Sequence, residues 1–353
     1  MRRAASLTAA AGLPLVVLLV LGCSSEAAPP PAEPVSALTA PEGFPKLVTP
    51  ADNLPTAERI ALGRRLFYDE RLSSTGKVSC GSCHLQENAF ADPNPLSTGV
   101  KGRQGTRNAP ALINDAWATS LFWDGRTATL ELQAAQPIQN PLEMDTTLED
   151  VAATLSDDTA LVAQFQRAYA DAPSPDSITK ALASFVRSLI SSQTRYDAFK
   201  AGDESALSAA EQRGEKIFNG ERGECFHCHV GYNLTSQAFR NNGIAEGDPD
   251  AGRSEVTKKP SDLGKFKTPT LRNVAVSAPY MQDGSLATLA DVVKQYDSGG
   301  RGHTNTDPLI QPLGLSDDEQ ADLVAFLESL TDDAFLTNPE FADPYGADAA
   351  DAP

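Results

Sequence analysis

The residues in this chain most able to do chemistry are two short Cys-x-x-Cys-His runs: Cys80, Cys83 and His84 in the first half, and Cys225, Cys228 and His229 in the second. Thiols three positions apart can each form a thioether to one porphyrin edge, and the adjacent imidazole can then ligate the iron. A redox-active thiol pair, a zinc site or a disulfide across each pair would use the same cysteines. Two copies, each closed by histidine in a chain with only 4 histidines, point instead to two covalently attached haem c groups with His84 and His229 as iron ligands. His227, between the second pair of cysteines, reads as a spacer, and His303, in a Gly-rich run, as a solvated loop residue.

Each motif needs a preceding helix to cover the haem's apolar face. Thr56 begins one that presents Ile60, Gly63 and Phe67, and Ser208 with Glu211 forms a capping box for its counterpart. Ile178, Leu182, Phe185, Val186 and Leu189 predict a helix closing the first half. Ser316 with Glu319 caps a second closing helix, with Leu323, Phe326, Leu327 and Leu330 on one face. Strand signals are scarce. The expected fold is mostly α: two class I cytochrome c-like haem domains, residues 51–200 and 201–335, related by internal duplication and followed by an acidic tail at 336–353.

At the N-terminus, Arg2 and Arg3 precede an apolar run too short to be a dependable membrane span, so residues 1–22 read as an export signal. The run ends at Val20-Leu21-Gly22-Cys23, which resembles a lipobox and predicts a lipid anchor on Cys23. Ser24 is not the Asp that retains lipoproteins at the inner membrane, so the expected address is the periplasm, tethered to the outer membrane. Residues 23–50, rich in Pro and Ala, are too poor in buriable surface to offset their ordering entropy and read as a tether. Of 5 cysteines, 4 lie in the two motifs and the fifth is Cys23, which leaves none for a structural disulfide. A net charge of -18 argues against nucleic acid and would steer a basic partner.

An internal repeat separates the two motifs by role. Gly63-Arg-Arg-Leu-Phe67 matches Gly214-Glu-Lys-Ile-Phe218 ahead of the motifs. Behind them, Pro110-Ala-Leu-Ile-Asn114 matches Pro269-Thr-Leu-Arg-Asn273, and Asp124-Gly125 matches Asp283-Gly284, both at an offset of 159. That register sets Tyr296 opposite Pro137. A phenol can bind iron and proline cannot, so Tyr296 is a candidate sixth ligand for the second haem while the first keeps an open distal face. Met281 is the rival, since thioether ligation is common in electron-transfer haems. No histidine lies between His84 and His227 to close the first iron, and Met144 is the one nearby residue that could, which would make the chain a plain di-haem electron-transfer cytochrome. An open iron reacting with peroxide needs an acid-base group, for which Glu143 is the candidate. Trp123, opposite Gln282, is an oxidisable side chain that could relay electrons.

These residues resemble the bacterial di-haem cytochrome c peroxidase and MauG family over residues 53–331. The likeness is carried by Leu66-Phe-Tyr-Asp69, both Cys-x-x-Cys-His runs, Arg107-Asn-Ala-Pro110, Phe122-Trp-Asp-Gly-Arg126, Asn140-Pro-Leu-Glu-Met144, Thr268-Pro-Thr-Leu-Arg-Asn273 and Ala278-Pro-Tyr-Met-Gln-Asp-Gly284. The resemblance implies peroxide reduction at the first haem, with electrons relayed from the second. It places the inter-haem tryptophan at Trp123, the peroxide-pocket glutamine and proline at Gln133 and Pro137, and the acid-base glutamate at Glu143. It also implies a calcium ion between the domains, held by the Asn108 side chain and the Ser277 and Pro279 carbonyls. The chain lacks the methionine that typical peroxidases carry at position 296 and the histidine in the loop after the first haem, and in both respects looks like the MauG branch. The implied partners are hydrogen peroxide and either a small periplasmic donor, cytochrome c or cupredoxin, or a protein whose side chains are oxidised. Gln282 stands where the family commonly has histidine.

Overall fold

The computed structural model describes Met1, residues 35–245 and residues 250–346. The export signal, Cys23, the tether up to residue 34 and residues 347–353 lie outside the described residues. Among those described, no helix is long and apolar enough to cross a membrane.

The first half contains α1 (Ala57–Phe67), α2 (Leu130–Gln139), α3 (Leu148–Ser156), α4 (Thr159–Tyr169) and α5 (Pro175–Ser188). The second half contains α6 (Arg195–Lys200), α7 (Ala209–Phe218), α8 (Arg253–Thr257), α9 (Leu289–Asp297) and α10 (Asp317–Glu328), and α11 (Asp333–Leu336) follows. The only sheet among the described residues is a two-stranded one, β1 (Phe239–Arg240) antiparallel to β2 (Phe266–Lys267). Local chemistry starts the main helices. The Thr56 hydroxyl accepts from Arg59 N at the start of α1, and Ser208 with Glu211 and Ser316 with Glu319 form the capping boxes of α7 and α10.

In each half the helix before the motif packs across the closing helix. Gly63 of α1 sits so close to α5 that a β-carbon would overlap the Ala181 carbonyl, and Gly214 of α7 meets the Asp322 carbonyl of α10 in the same way. A side chain at either position would prise the helices apart and uncover their apolar faces. The first core gathers Leu66, Phe67, Phe90, Ile138, Phe165 and Phe185, and the second gathers Phe218, Leu289, Val293, Leu323 and Phe326.

Two expected boundaries shift. Tyr196, placed in the first domain by the 51–200 division, packs in the second core with its ring 5.0 Å from that of Phe326. The acidic tail expected from residue 336 is also more than a tail: Phe341 enters the first core with its ring 6.4 Å from Phe90, beside Phe335 from the end of the second expected domain, 5.8 Å from Phe90. Tyr68 donates to Phe341 O at 2.8 Å and Arg64 to Ala342 O at 2.7 Å, so the chain returns to the half where it began. The composition of this segment is acidic, but burial of Phe341 and two backbone acceptors bonded to Tyr68 and Arg64 offset the cost of ordering it.

Phe341→Ala should therefore cost about 3 kcal/mol, seen as a lower urea midpoint at unchanged m-value. A loss below about 0.5 kcal/mol, the range of an ordinary surface substitution, would return the segment to solvent.

Candidate active site

A cavity of about 510 Å³ is lined by both Cys-x-x-Cys-His motifs and by apolar side chains that include Phe67, Val186, Leu271, Leu289 and Leu323. The ring Nδ1 of His84 lies 2.5 Å from Phe90 O, and that of His229 lies 3.1 Å from Leu234 O. Donation from Nδ1 to these carbonyls sets the tautomer and leaves each Nε2 lone pair free for a metal. Burial keeps both rings neutral, lowering His84 and taking His229 down to about 4. The four motif thiols are free, and burial pushes Cys80 and Cys225 up to about 12. Such thiols are poor thiolates and suit conversion to uncharged thioethers. The residues thus fit two covalently held haems.

The distal sides come from α2 and α9, which start at Thr129 and Thr288 in the same register. Tyr296 stands in the last turn of α9, and the matching position in α2 is Pro137. The structure also brings Met281 to the same point. The Asn242 amide nitrogen lies 3.4 Å from the Tyr296 hydroxyl and 3.1 Å from Met281 Sδ. Both rival ligands therefore flank one donor. Burial pushes the Tyr296 phenol up to about 12, so it keeps its proton unless a cation takes the proton's place. Asn242 itself carries no local signal that could have marked it.

Beyond Pro137 the chain turns, and Asn140 Nδ2 donates to Glu143 Oε1 at 2.5 Å. The loop after the first motif closes over this turn, with Val100 N donating to Glu143 O at 2.8 Å. Gly99 approaches so closely that a β-carbon there would overlap the Leu142 carbonyl. Burial raises the Glu143 carboxyl above its ordinary 4.5, opposed by the Asn140 bond and the Arg126 charge. Gln133, one turn before Pro137, lines the same cavity. Met144 is 2 % exposed and packs in the first core.

Between the two motifs, Trp123 Nε1 donates to Asn108 O at 2.9 Å. Asn108 N donates to Gln282 O at 2.8 Å, and Lys267 N donates to Trp123 O at 2.7 Å. Gln282 uses its carbonyl here, a contact that does not depend on its side chain. Asn108 is 4 % exposed, and its Nδ2 donates to Asn94 O at 3.0 Å. Ser277 and Pro279 line the same cavity as Asn108, and an amide oxygen and backbone carbonyls are the kinds of oxygen a hard cation takes.

The two remaining histidines have partners. His227 Nε2 lies 2.8 Å from Glu224 Oε2. His303, expected to be solvated, instead organises its loop, its Nδ1 3.0 Å from Asn241 Nδ2 and accepting from Asn305 N at 3.1 Å.

Residues 57–205 match the family described as di-haem cytochrome c peroxidase, and residues 211–331 match cytochrome c. The chain is 35% identical over 292 residues to the methylamine utilization protein MauG of Methylophilus methylotrophus, covering 82% of this chain and 86% of that one. It is 36% identical over 304 residues to the cytochrome c551 peroxidase of Nitrosomonas europaea, covering 85% of each. A crystal structure of a MauG-like protein associated with microbial copper homeostasis superimposes with a TM-score of 0.83 at 36% identity, covering 87% of this chain and 99% of that one.

The raised Glu143 carboxyl has a consequence for stability. Its folded state binds the proton more tightly than the unfolded chain does, so its cost is absent at low pH and grows as pH rises past 4.5. Glu143→Gln should therefore raise the melting temperature at neutral pH, with the gain shrinking as pH falls toward 4.5. A gain that is the same at every pH would contradict a buried, proton-retaining carboxyl.

Proposed function

Because the chain belongs to the di-haem cytochrome c peroxidase family, whose relatives here include MauG, we propose that its N-terminal half is where hydrogen peroxide reacts and its C-terminal half is where electrons wait. The protein is an oxidoreductase of the cytochrome c peroxidase type with two haem c groups. Bound haem supplies the iron that takes peroxide and stores electrons, and the remaining work falls to side chains.

The observation that carries the assignment is the pairing of Pro137 with Tyr296 in matched helices. The second half would offer iron the Tyr296 oxygen, or the nearby Met281 sulfur, where the first half has proline, whose side chain holds no atom that binds iron. Peroxide has room only at the first. Glu143, its carboxyl raised by burial and aimed by Asn140, moves a proton from one peroxide oxygen to the other. Two electrons and two further protons then complete two waters. Gln133 offers an amide to the bound peroxide. Trp123, bonded to Asn108 and through Lys267 to the second half, is the side chain placed to carry electrons between halves.

The electrons come from a small periplasmic donor, cytochrome c or cupredoxin, and the net charge of -18 would steer a basic one. The export signal and Cys23 place the enzyme in the periplasm on a lipid anchor at the outer membrane. Calcium binds through Asn108 Oδ1 and the Ser277 and Pro279 carbonyls. A second reading, oxidation of side chains on a partner protein, is favoured by Tyr296: a hard oxygen ligand there stabilises an oxidised second centre.

Mixing the holoenzyme with peroxide in a stopped-flow spectrometer should show rapid loss of the resting haem spectrum. Glu143→Gln should slow that phase by about 10²–10⁴-fold while binding haem normally. Wild-type speed in the variant would remove Glu143 from the chemistry. Tyr296→Phe should shift only the second centre's spectrum. No shift would assign the ligand to Met281.

A further inference from the structure

The internal duplication places the two sides of the interface in register. At the offset of 159, Asn108 corresponds to Lys267, Ala118 to Ser277, Ser120 to Pro279 and Trp123 to Gln282. The backbone obeys this register closely. Asn114 and Asn273 share a φ of 57°, and Gly125 and Gly284 have φ of 67° and 65°. The bridge between Leu121 and Thr127 recurs between Tyr280 and Leu286. Two backbone bonds that cross the interface, from Asn108 N to Gln282 O and from Lys267 N to Trp123 O, are also mates of one another.

The side chains on the two sides differ. On one side, Asn108 and the carbonyls of Ser277 and Pro279 form the oxygen set read above as a calcium site. On the other, the mates are Lys267 and the carbonyls of Ala118 and Ser120. There, Lys267 Nζ donates to Ser120 O at 2.8 Å. The ammonium thus rests against the mate of the very carbonyl that would bind calcium. Burial lowers Lys267, and the charge of Asp115, in the turn where the second half has the uncharged Val274, opposes that and favours the ammonium.

Reach agrees with this correspondence. An Asn side chain plus a calcium–oxygen bond of about 2.4 Å extends nearly as far as lysine's four-carbon stem. One arrangement borrows its cation and the other has it covalently attached.

We propose that Lys267 is a built-in cation standing in for a metal ion at the second of two duplicated interface sites, where it positions Ser120 and Trp123 between the two haem centres. The proposal rests on the calcium reading only for the identity of the ion at the Asn108 side. Its consequence is asymmetry: a chelator can empty one side of the interface and cannot touch the other.

The test is to strip the holoenzyme with EGTA and titrate it with calcium chloride by calorimetry. Wild type should bind one ion, Lys267→Met one and Lys267→Asn two. The Lys267→Asn protein should also lose more melting temperature in EGTA than wild type or Lys267→Met, which give up only the Asn108-side ion, and recover the whole loss when calcium is added. If wild type and Lys267→Asn both bind one ion, the proposal is overturned and the calcium reading stands. If wild type binds none and Lys267→Asn binds one, the calcium reading fails and the proposal survives. Should Lys267→Asn fail to fold, the reverse exchange decides. Asn108→Lys should bind no calcium and melt at the same temperature with or without EGTA, and a continuing need for calcium would overturn the proposal.

Discussion

Two backbone hydrogen bonds across the interface, from Asn108 N to Gln282 O and from Lys267 N to Trp123 O, set the position of each half against the other. Each contributes about 1 kcal/mol net, but a buried group left unpaired costs about 1–3 kcal/mol, so sliding the halves by one residue would strand several groups at once. Trp123 then has its indole on Asn108 and its carbonyl on Lys267. A buried knot behind them repeats the theme: the Asp332 carboxylate accepts from Ser191 Oγ, Ser192 N and Gln193 N, each at 2.9 Å. Asn114 and Asn273 both bond to Ser191, from the first and second half respectively. The register between the two halves is thus set by two main-chain bonds backed by a buried polar knot, and the main-chain bonds leave the side chains at their own positions free to diverge.

That freedom accounts for the division of labour. α2 and α9 share caps and register, yet one carries Pro137 and the other Tyr296. Trp123 and Gln282 make equivalent carbonyl contacts while only one has an oxidisable ring. Gln282 makes its bond through its carbonyl, so that bond does not depend on its side chain. At Glu143, a loop closed tightly by Gly99 buries a carboxylate at a cost to stability, a cost that the proposed proton transfer requires.

What could be read from the sequence was what depends on neighbours along the chain. The haem motifs are defined by three-residue spacing. The caps at Thr56, Ser208 and Ser316 satisfy amides within the first helical turn, and the repeat register survives because the helices and turns that follow each motif kept their lengths. The pairing of Tyr296 with Pro137 follows from that register alone, as does the mostly helical character.

Contacts between distant segments were decided by tertiary structure. The amide of Asn242 joins Tyr296 to Met281 from a loop that has no pattern of its own. Phe341 leaves an acidic stretch to reach Phe90, because burial of an aromatic ring is set by what space another domain leaves open. Lys267 finds Ser120 only after the halves dock. Spacing along a chain specifies bonds closed within a few residues, whereas burial and charge pairing depend on which surfaces meet, and that is settled only by the packing of the whole.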